Sequence, residues 1–211
     1  MFSALLLAAA LAFASPDAVP LASAPPPASA LVGDGFVLIA EEKGVKVYRR
    51  EKRAGFEFAA EGTLAAPAAQ VRRALLDYPS HQKWQKYMKE CRVLTRSDDA
   101  LDVYQRMSPP VVDDRDYTLH VTWGDDGGVL WTRAAVANER GPAPVSGVIR
   151  ISTNETSWRL EPIDGGRSTR AVYRIHIDMA GSVPTWMAKG QASSDIPDFF
   201  ANLGKQLPSY R

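Results

Sequence analysis

The sequence predicts an α+β domain in which an antiparallel sheet packs against a long C-terminal helix. Three observations predict this class. From Gly44 to residue 178, short alternating segments are separated by turn signals. Helical periodicity follows Pro67, and an amphipathic stretch begins at Pro184. The 211-residue chain is long enough for one such domain with a sizeable core.

The N-terminal part of the chain differs in composition from the rest. Residues 1–14 are apolar and uncharged and end in Ala-Phe-Ala, which is typical of a signal peptide and too short for a bilayer span. Residues 15–32 are rich in Pro and Ala and predict a linker. We therefore expect an exported protein, either periplasmic or secreted, whose folded domain covers residues 33–211.

The first two strands are predicted over Val45 to Arg50 and Phe56 to Leu64, where they form a hairpin with one buried face. The buried face carries Phe56, Phe58, Ala60, Gly62 and Leu64. A helix follows from Pro67 to Tyr78, because proline is tolerated at a helix N-terminus and Pro79 interrupts the pattern. A second short helix is predicted over Ser80 to Met88.

Seven further strands are predicted in succession, which implies a largely antiparallel meander. They are Arg92 to Thr95, Leu101 to Met107, Asp116 to Trp123, Val129 to Ala137, Val148 to Ser152, Ser157 to Ile163 and Thr169 to Asp178. The triplet Asn154 to Thr156 matches a glycosylation acceptor, but we interpret it as the turn between two of these strands.

The C-terminal segment from Pro184 is predicted to be one long amphipathic helix. Its apolar residues are Trp186, Met187, Ile196, Phe199, Phe200, Leu203 and Leu207. Pro197 lies inside this helix, where the loss of a backbone hydrogen bond predicts a bend.

Composition excludes several classes of function. Lys and Arg number 25 against 24 Asp and Glu, so the near-zero net charge argues against a nucleic-acid partner. Cys91 is the only cysteine, which excludes an intramolecular disulfide, and we interpret it as a small core residue. The three histidines lack metal-ligand spacing and no catalytic motif is present. We therefore predict no metal, no cofactor and no catalytic residue.

Five stretches in this order resemble the START-domain family, the lipid-transfer branch of the helix-grip superfamily, over Gly35 to Leu207. They are Gly44 to Arg50, Asp77 to Trp84, Val103 to Gln105, Asp114 to Tyr117 and Gly181 to Met187. The resemblance implies a curved antiparallel sheet wrapped around the C-terminal helix, with an internal cavity for a hydrophobic ligand such as a lipid or sterol. We also expect a monomer that contacts membranes transiently.

Strand parity points to two polar residues on the cavity side. Gln105 shares a face with Leu101 and Val103, and Arg115 lies on the apolar side of the next strand. Since a guanidinium among apolar side chains needs a partner or a wet cavity, we expect Arg115 to line the cavity. The alternative is a position at the strand mouth, where it pairs with an acidic neighbour: Asp113, Asp114 or Glu139.

Nine residues form the predicted ligand-binding site. They are Gln105, Met107, Arg115, Tyr117, Leu119, Trp131, Trp186, Met187 and Gly190. Core packing demands the same residue types as a cavity wall, so each aromatic residue in this set could serve either purpose. We prefer Trp186 and Met187 to Phe199 and Leu203, because they lie near the lid region of the family.

Three functions compete. The first is a non-enzymatic protein that binds and transports a lipid-like molecule. The second is an enzyme of the polyketide cyclase and aromatase type, with Arg115, Tyr117 or His120 as acid–base groups, although His120 is expected to face outward. The third is an interaction module whose interior is filled by side chains. The sequence favours the first.

Overall fold

The computed structural model of the protein describes residues 23–52, 56–110, 112–181 and 185–210. The side chains of residue 56 and of residues 185–192 are outside this description. The predicted signal peptide, residues 1–14, and the first part of the predicted linker, residues 15–22, also lie outside the described residues.

A single large sheet dominates the described part of the chain. Its ten strands are β1 (Val37–Glu42), β2 (Val45–Glu51), β3 (Phe56–Leu64), β4 (Met88–Arg96), β5 (Ala100–Met107), β6 (Arg115–Asp126), β7 (Val129–Val136), β8 (Ile149–Arg150), β9 (Thr153–Ile163) and β10 (Ser168–Asp178). The helices are α1 (Ala68–Leu76), α2 (Tyr78–His81) and α3 (Thr185–Gln206). None of these helices is both long enough and apolar enough to cross a bilayer.

The strand order is β1-β2-β3-β10-β9-β7-β6-β5-β4, and each of these neighbours is antiparallel. Strands β4 to β7, β9 and β10 form an antiparallel meander of six of the seven predicted strands, and β10 then pairs with β3 to join it to the N-terminal strands. The seventh, predicted over Val148 to Ser152, is only the two-residue β8, which pairs in parallel with the start of β6. The predicted antiparallel sheet and C-terminal helix are therefore confirmed.

Two further elements differ clearly from the sequence prediction. Strand β1 was not predicted, because it is an edge strand without a buried face: Val37 and Leu38 are 67% and 49% exposed. The predicted helix over Ser80 to Met88 is wrong, since α2 ends at His81 and Met88 begins β4. Residues 82–87 form turns and a bend between the two elements, and Tyr87 adopts a left-handed backbone with φ of 63° just before the strand.

The inward side chains form two separate clusters and not one continuous core. The first cluster joins β2 and β3 to the helices and includes Val47, Phe58, Val71, Leu75, Trp158, Phe200 and Leu203. The second lies on β4 to β7 and includes Met88, Leu101, Val103, Tyr117, Leu119 and Val121. The predicted alternation on β3, β5 and β6 is confirmed, because these residues share the inner face.

Helix α3 approaches β3 closely at Gly62. A Cβ atom at this position would come within 3.0 Å of the Phe200 ring and 3.1 Å of Val45. Real Cβ atoms rarely approach so closely, so Gly62 sets how near the helix lies to the sheet. Phe200 and Leu203 are 3% and 0% exposed at this contact.

The outer face of the sheet carries the described N-terminal segment. Leu31 is fully buried and packs with Phe36 and Ala59. Arg133 and Arg159, which point outward from β7 and β9, donate hydrogen bonds to the carbonyls of Ser23 and Pro25 at 3.1 and 3.0 Å. Within the predicted linker 15–32, residues 23–31 thus pack on the domain. A Pro/Ala-rich segment can do so because the sheet supplies both apolar surface and side-chain donors.

The close approach at Gly62 gives a stability test. We expect Gly62→Val to lower the free energy of unfolding by about 1–3 kcal/mol, because the added methyl groups overpack the contact with Phe200. Gly204→Ala on α3 is the matched control. Nothing lies within 4 Å of its added Cβ, and alanine favours helix, so this variant should gain up to about 1 kcal/mol. Urea denaturation measures both, and equal stability of Gly62→Val and wild type would contradict the close contact.

A cavity between the two core clusters

An internal cavity of about 210 Å³ lies where the two clusters fail to meet. Its wall combines the inner faces of β5, β6, β7, β9 and β10 with residues of the three helices. The apolar and aromatic lining residues are Leu75, Tyr78, Met107, Tyr117, Leu119, Ala134, Trp158, Tyr173, Ile175, Ile177, Met179 and Phe199. A wall of this kind suits a largely hydrophobic ligand.

Six polar residues also line the cavity: His81, Gln85, Gln105, Thr132, Asn154 and Thr156. Gln105 donates from Nε2 to the Cys91 sulfur at 3.3 Å. His81 uses both ring nitrogens, with Nε2 at 3.4 Å from the Ala74 carbonyl and Nδ1 at 3.0 Å from Gln85 Nε2. Asn154 differs, because its side-chain oxygen Oδ1 is buried without a hydrogen-bond partner.

The titratable lining groups are held neutral. Burial raises the pKa of Tyr78, Tyr117 and Tyr173 above the usual range of a phenol. Burial also lowers the pKa of His81 to about 4 against the opposing effect of its bond to Ala74. No Asp, Glu, Lys or Arg is found among the described residues of the wall. The cavity is therefore uncharged at neutral pH as far as the structure describes it.

A groove of about 210 Å³ adjoins the cavity between α3 and residues 84–87. The two spaces share Gln85, Met107, Tyr173 and Phe199. Ion pairs cross this region: Lys86 Nζ lies 2.9 Å from both Asp195 Oδ1 and Asp198 Oδ2 on α3. Lys43 Nζ, in the β1–β2 turn, is 2.5 Å from Asp198 Oδ1. These pairs tie α3 to the loop that borders the groove and to the β1–β2 turn.

Four of the predicted site residues lie in the cavity wall: Gln105, Met107, Tyr117 and Leu119. Strand parity placed them there, and their contact with a ligand stays a prediction. Trp186, Met187 and Gly190 belong to the first turns of α3, and their side chains lie outside the described residues.

Arg115 is buried, as predicted, with 1% of its surface exposed, but it is not among the residues that line the cavity. Its guanidinium donates to two backbone carbonyls, from Nη1 to Asp113 and from Nε to Met179 at 3.4 Å. Of the acidic neighbours considered as partners, Asp114 binds Lys89 and Arg106, and Glu139 lies 3.8 Å from Arg140. Because Met179 follows β10, Arg115 ties the start of β6 to the connection that leads to α3.

Trp131 does not line the cavity, so the prediction for this residue is wrong. Its neighbours Thr132 and Ala134 line the cavity at even positions of β7, which places Trp131 on the outer face. There its ring fills the space above Gly124, where a Cβ would lie 2.5 Å from the indole. Strand β7 has apolar residues on both faces, so its composition does not reveal which face points inward.

Sequence reasoning missed several lining residues, of which Asn154 and Phe199 matter most. Asn154 was interpreted as part of a turn, but it lies in β9, pairs with Ile177 of β10 and is 3% exposed. Polar residues that line a cavity in the middle of a strand have the same composition as a turn. Alternation with Thr156, Trp158 and Leu160 is the signal that could have revealed this inner face.

His120 lies on the outer face of the sheet, as expected. Its Nδ1 is 2.7 Å from Asp102 Oδ1, and Arg140 contacts the same pair. The sheet therefore separates this histidine from the cavity, which removes it as an acid–base group for a molecule bound inside. Among the described residues, no cluster of three His, Cys, Asp or Glu side chains could hold a metal ion.

His81 makes the stability of the fold depend on pH. Its folded pKa of about 4 lies below the ordinary value of 6.5, so the unfolded chain takes up a proton first as the pH falls. The contribution of His81 to the free energy of unfolding is therefore complete above pH ~6.5 and decreases towards pH ~4, by about 3 kcal/mol in total. Urea denaturation between these pH values should show a smaller decrease for His81→Gln than for wild type. The same decrease in both proteins would contradict this role.

Comparison with known proteins agrees with the fold. Residues 35–210 match the START domain family, so the chain belongs to that family. It is 25% identical over 189 residues to the phosphatidylcholine transfer protein of Mus musculus, a match that covers 86% of this chain and 87% of that protein.

Solved structures show the same architecture. The STAR-related lipid transfer protein of Xanthomonas axonopodis is 26% identical, with a TM-score of 0.75 over 83% of this chain and 99% of that one. The human StAR-related lipid transfer protein 5 has a TM-score of 0.74 at 19% identity, over 83% and 88% of the two chains. The chain thus has the helix-grip fold, with its sheet curved around the C-terminal helix.

Proposed function

We propose that this protein binds a hydrophobic small molecule, such as a lipid or sterol, in the internal cavity and transports it without chemical change. The mainly apolar cavity between the two core clusters is the observation that carries this proposal. Membership in the START-domain family supports it, as do relatives named for lipid transfer.

The energetics favour capture of such a molecule. Each Å² of apolar surface removed from water contributes about 25 cal/mol, so a few hundred Å² contribute on the order of 5–10 kcal/mol before association costs. The cavity is smaller than the ~300–1,000 Å³ typical of sites for drug-sized molecules. A lipid therefore extends from the cavity into the adjoining groove, past Met107 and Phe199, which line both spaces.

Transport rather than catalysis is supported by the protonation states in the wall. A general acid or base works best with a pKa near the working pH. His81 has a pKa of about 4, and the pKa values of Tyr117 and Tyr173 are raised by burial, so none of these groups exchanges a proton readily near neutrality. The alternative function, an enzyme of the aromatase/cyclase type, is supported by similarity of fold alone. The aromatase/cyclase from Streptomyces shares the fold with a TM-score of 0.51 at 12% identity.

We further propose that the protein works outside the cytoplasm as a monomer and exchanges its ligand in brief contacts with membranes. The apolar residues 1–14 support export. The ligand enters when α3 moves apart from the sheet. Val145, at 40% exposure, gives the surface loop of residues 140–146 an apolar side chain to present to a membrane.

Blocking the cavity tests the proposal. The added ring of Ala134→Phe points into the void, so we expect lipid uptake from vesicles to fall at least tenfold while the fold is kept. Ala135→Phe is the matched control, since it adds the same ring to the outer face of the same strand and should leave uptake unchanged. Solvent extraction and mass spectrometry of the bound lipid measure the result. Equal uptake by both variants, or wild-type protein that never captures lipid, would overturn the carrier function.

A further inference from the structure

We propose that a second site, separate from the cavity, binds an organic anion through the guanidinium groups of Arg72, Arg73 and Arg96. The site is an open cleft of about 600 Å³ between α1 and the turn of residues 97–99 that joins β4 to β5. It shares no described lining residue with the cavity, so the inference is independent of the carrier function. The cleft is lined by Ala69, Arg72, Arg73, Leu76, Asp77, Arg96, Ser97, Asp98 and Trp123.

Three elements of the fold bring the arginines to this cleft. The lining residues of α1 are spaced i, i+3, i+4 and i+7, so they share one face of the helix. This face carries Arg72 and Arg73. Arg96 ends β4, and its guanidinium lies over the Trp123 ring of β6, 5.6 Å from the ring centroid. A helix face and two strands thus collect three cations around one open space.

The charges of these arginines are not neutralised by the protein. None of the three forms an ion pair with a carboxylate in the part of the chain that the structure describes. Eight arginines elsewhere lie within 3.7 Å of a carboxylate oxygen: Arg50, Arg92, Arg106, Arg140, Arg150, Arg159, Arg170 and Arg174. The cleft therefore concentrates cations that lack the counter-charge other arginines have.

Each of the three guanidinium groups keeps N–H donors for a ligand. Arg72 donates from Nη1 to the Gly124 carbonyl at 2.9 Å. Arg73 donates from Nε and Nη2 to the Tyr210 carbonyl at 3.2 and 2.7 Å. A guanidinium has five donors, so these bonds hold Arg72 and Arg73 in place and leave other N–H groups unused. Arg96 contributes its contact with Trp123 and no hydrogen bond within the described residues.

Two carboxylates also line the cleft, so its described wall carries one net positive charge. Asp77 is engaged, because it accepts hydrogen bonds from the Ser80 and Tyr210 hydroxyls at 2.6 and 2.7 Å. Asp98 is exposed in the β4–β5 turn and has no partner among the described residues. Asp98 is therefore the carboxylate that opposes an incoming anion.

The lining specifies the chemistry of the ligand. A planar guanidinium matches the oxygens of a phosphate or carboxylate, which accept two parallel N–H bonds. Ala69, Leu76 and Trp123 add an apolar floor, which suits an anion that carries an apolar or flat body. A phosphate on a soluble compound and the phosphate of an anionic lipid head group present the same group to these arginines.

Isothermal titration calorimetry of the full chain at low ionic strength tests the site with phenyl phosphate, inorganic phosphate and benzyl alcohol. We expect phenyl phosphate to bind with a Kd below about 1 mM. Inorganic phosphate should bind about tenfold more weakly, because it has no ring to cover the apolar floor. Benzyl alcohol should bind more weakly still, because it has no charge. Failure of phenyl phosphate to bind, or equal binding of either other probe, would overturn the inference.

Three exposed side chains allow the anion to be located by substitution. Arg96→Gln should weaken the binding of phenyl phosphate about tenfold, because a charge-assisted hydrogen bond is lost. Asp98→Asn should strengthen it about twofold, because the opposing charge is removed. Arg167→Gln is the matched control, since it removes the same charge from the β9–β10 turn, outside the cleft, and should leave the affinity unchanged. Equal affinities of Arg96→Gln and Arg167→Gln would show that the cleft does not bind the probe.

Vesicles distinguish the two sources of the phosphate. The full chain is sedimented with phosphatidylcholine vesicles that contain or lack phosphatidic acid. For a lipid head group, co-sedimentation should require phosphatidic acid and decrease in Arg96→Gln but not in Arg167→Gln. For a soluble compound, these two variants should differ in binding phenyl phosphate and co-sediment equally. If Arg96→Gln changes neither measurement, the inference is wrong.

Discussion

The cavity depends on how α3 packs on the sheet. The helix contacts β1, β2 and β3, and at Gly62 it approaches the backbone so closely that a Cβ would meet the Phe200 ring. This contact ties the helix to one side of the sheet. The inner faces of β5, β6 and β7 carry their own cluster, in which no described side chain of α3 takes part. Since protein interiors otherwise pack to crystal density, the space between the two clusters is a built feature of the fold.

The two faces of the sheet have different electrostatic roles. Side chains alternate between the faces, so a charged residue next to an apolar one goes to the other side. Asp116 points outward, is fully buried and binds Arg150 through both carboxylate oxygens at 2.6 and 3.0 Å. Asp102 pairs with His120 on the same face. Charge is thus collected on the outer face, while the described inner face stays neutral around the cavity.

The segment from Asp114 to Tyr117 illustrates how a short motif serves structure and site together. Asp114 forms ion pairs with Lys89 and Arg106 at the end of β5, and Asp116 holds β8 in place through its ion pair with Arg150. Arg115 ties β6 to the connection before α3, and only Tyr117 reaches the cavity. Most of the motif therefore stabilises the end of the sheet near the cavity, where the chain continues from β10 towards α3.

Much of the fold could be derived from alternation and periodicity, because these local patterns dictate which residues share a face. The hairpin of β2 and β3, the meander and the C-terminal helix follow from them. Edge strand β1 could not be derived, since an exposed strand lacks the alternation of apolar and polar residues that predicts a strand. The predicted helix over Ser80 to Met88 is also wrong, because α2 ends after His81 and the chain passes through the left-handed Tyr87 into β4.

The sequence by itself determined that Gln105, Tyr117 and Leu119 face the interior, because a strand with one apolar side has only one stable orientation. Only the tertiary structure decided that Trp131 faces outward and that Asn154 lies in the cavity wall with an unpaired oxygen. The physical reason is that a cavity lies between elements that are remote in sequence. Local patterns specify which side of a strand or helix is buried, whereas the space between the sheet and α3 depends on how closely α3 and β3 pack.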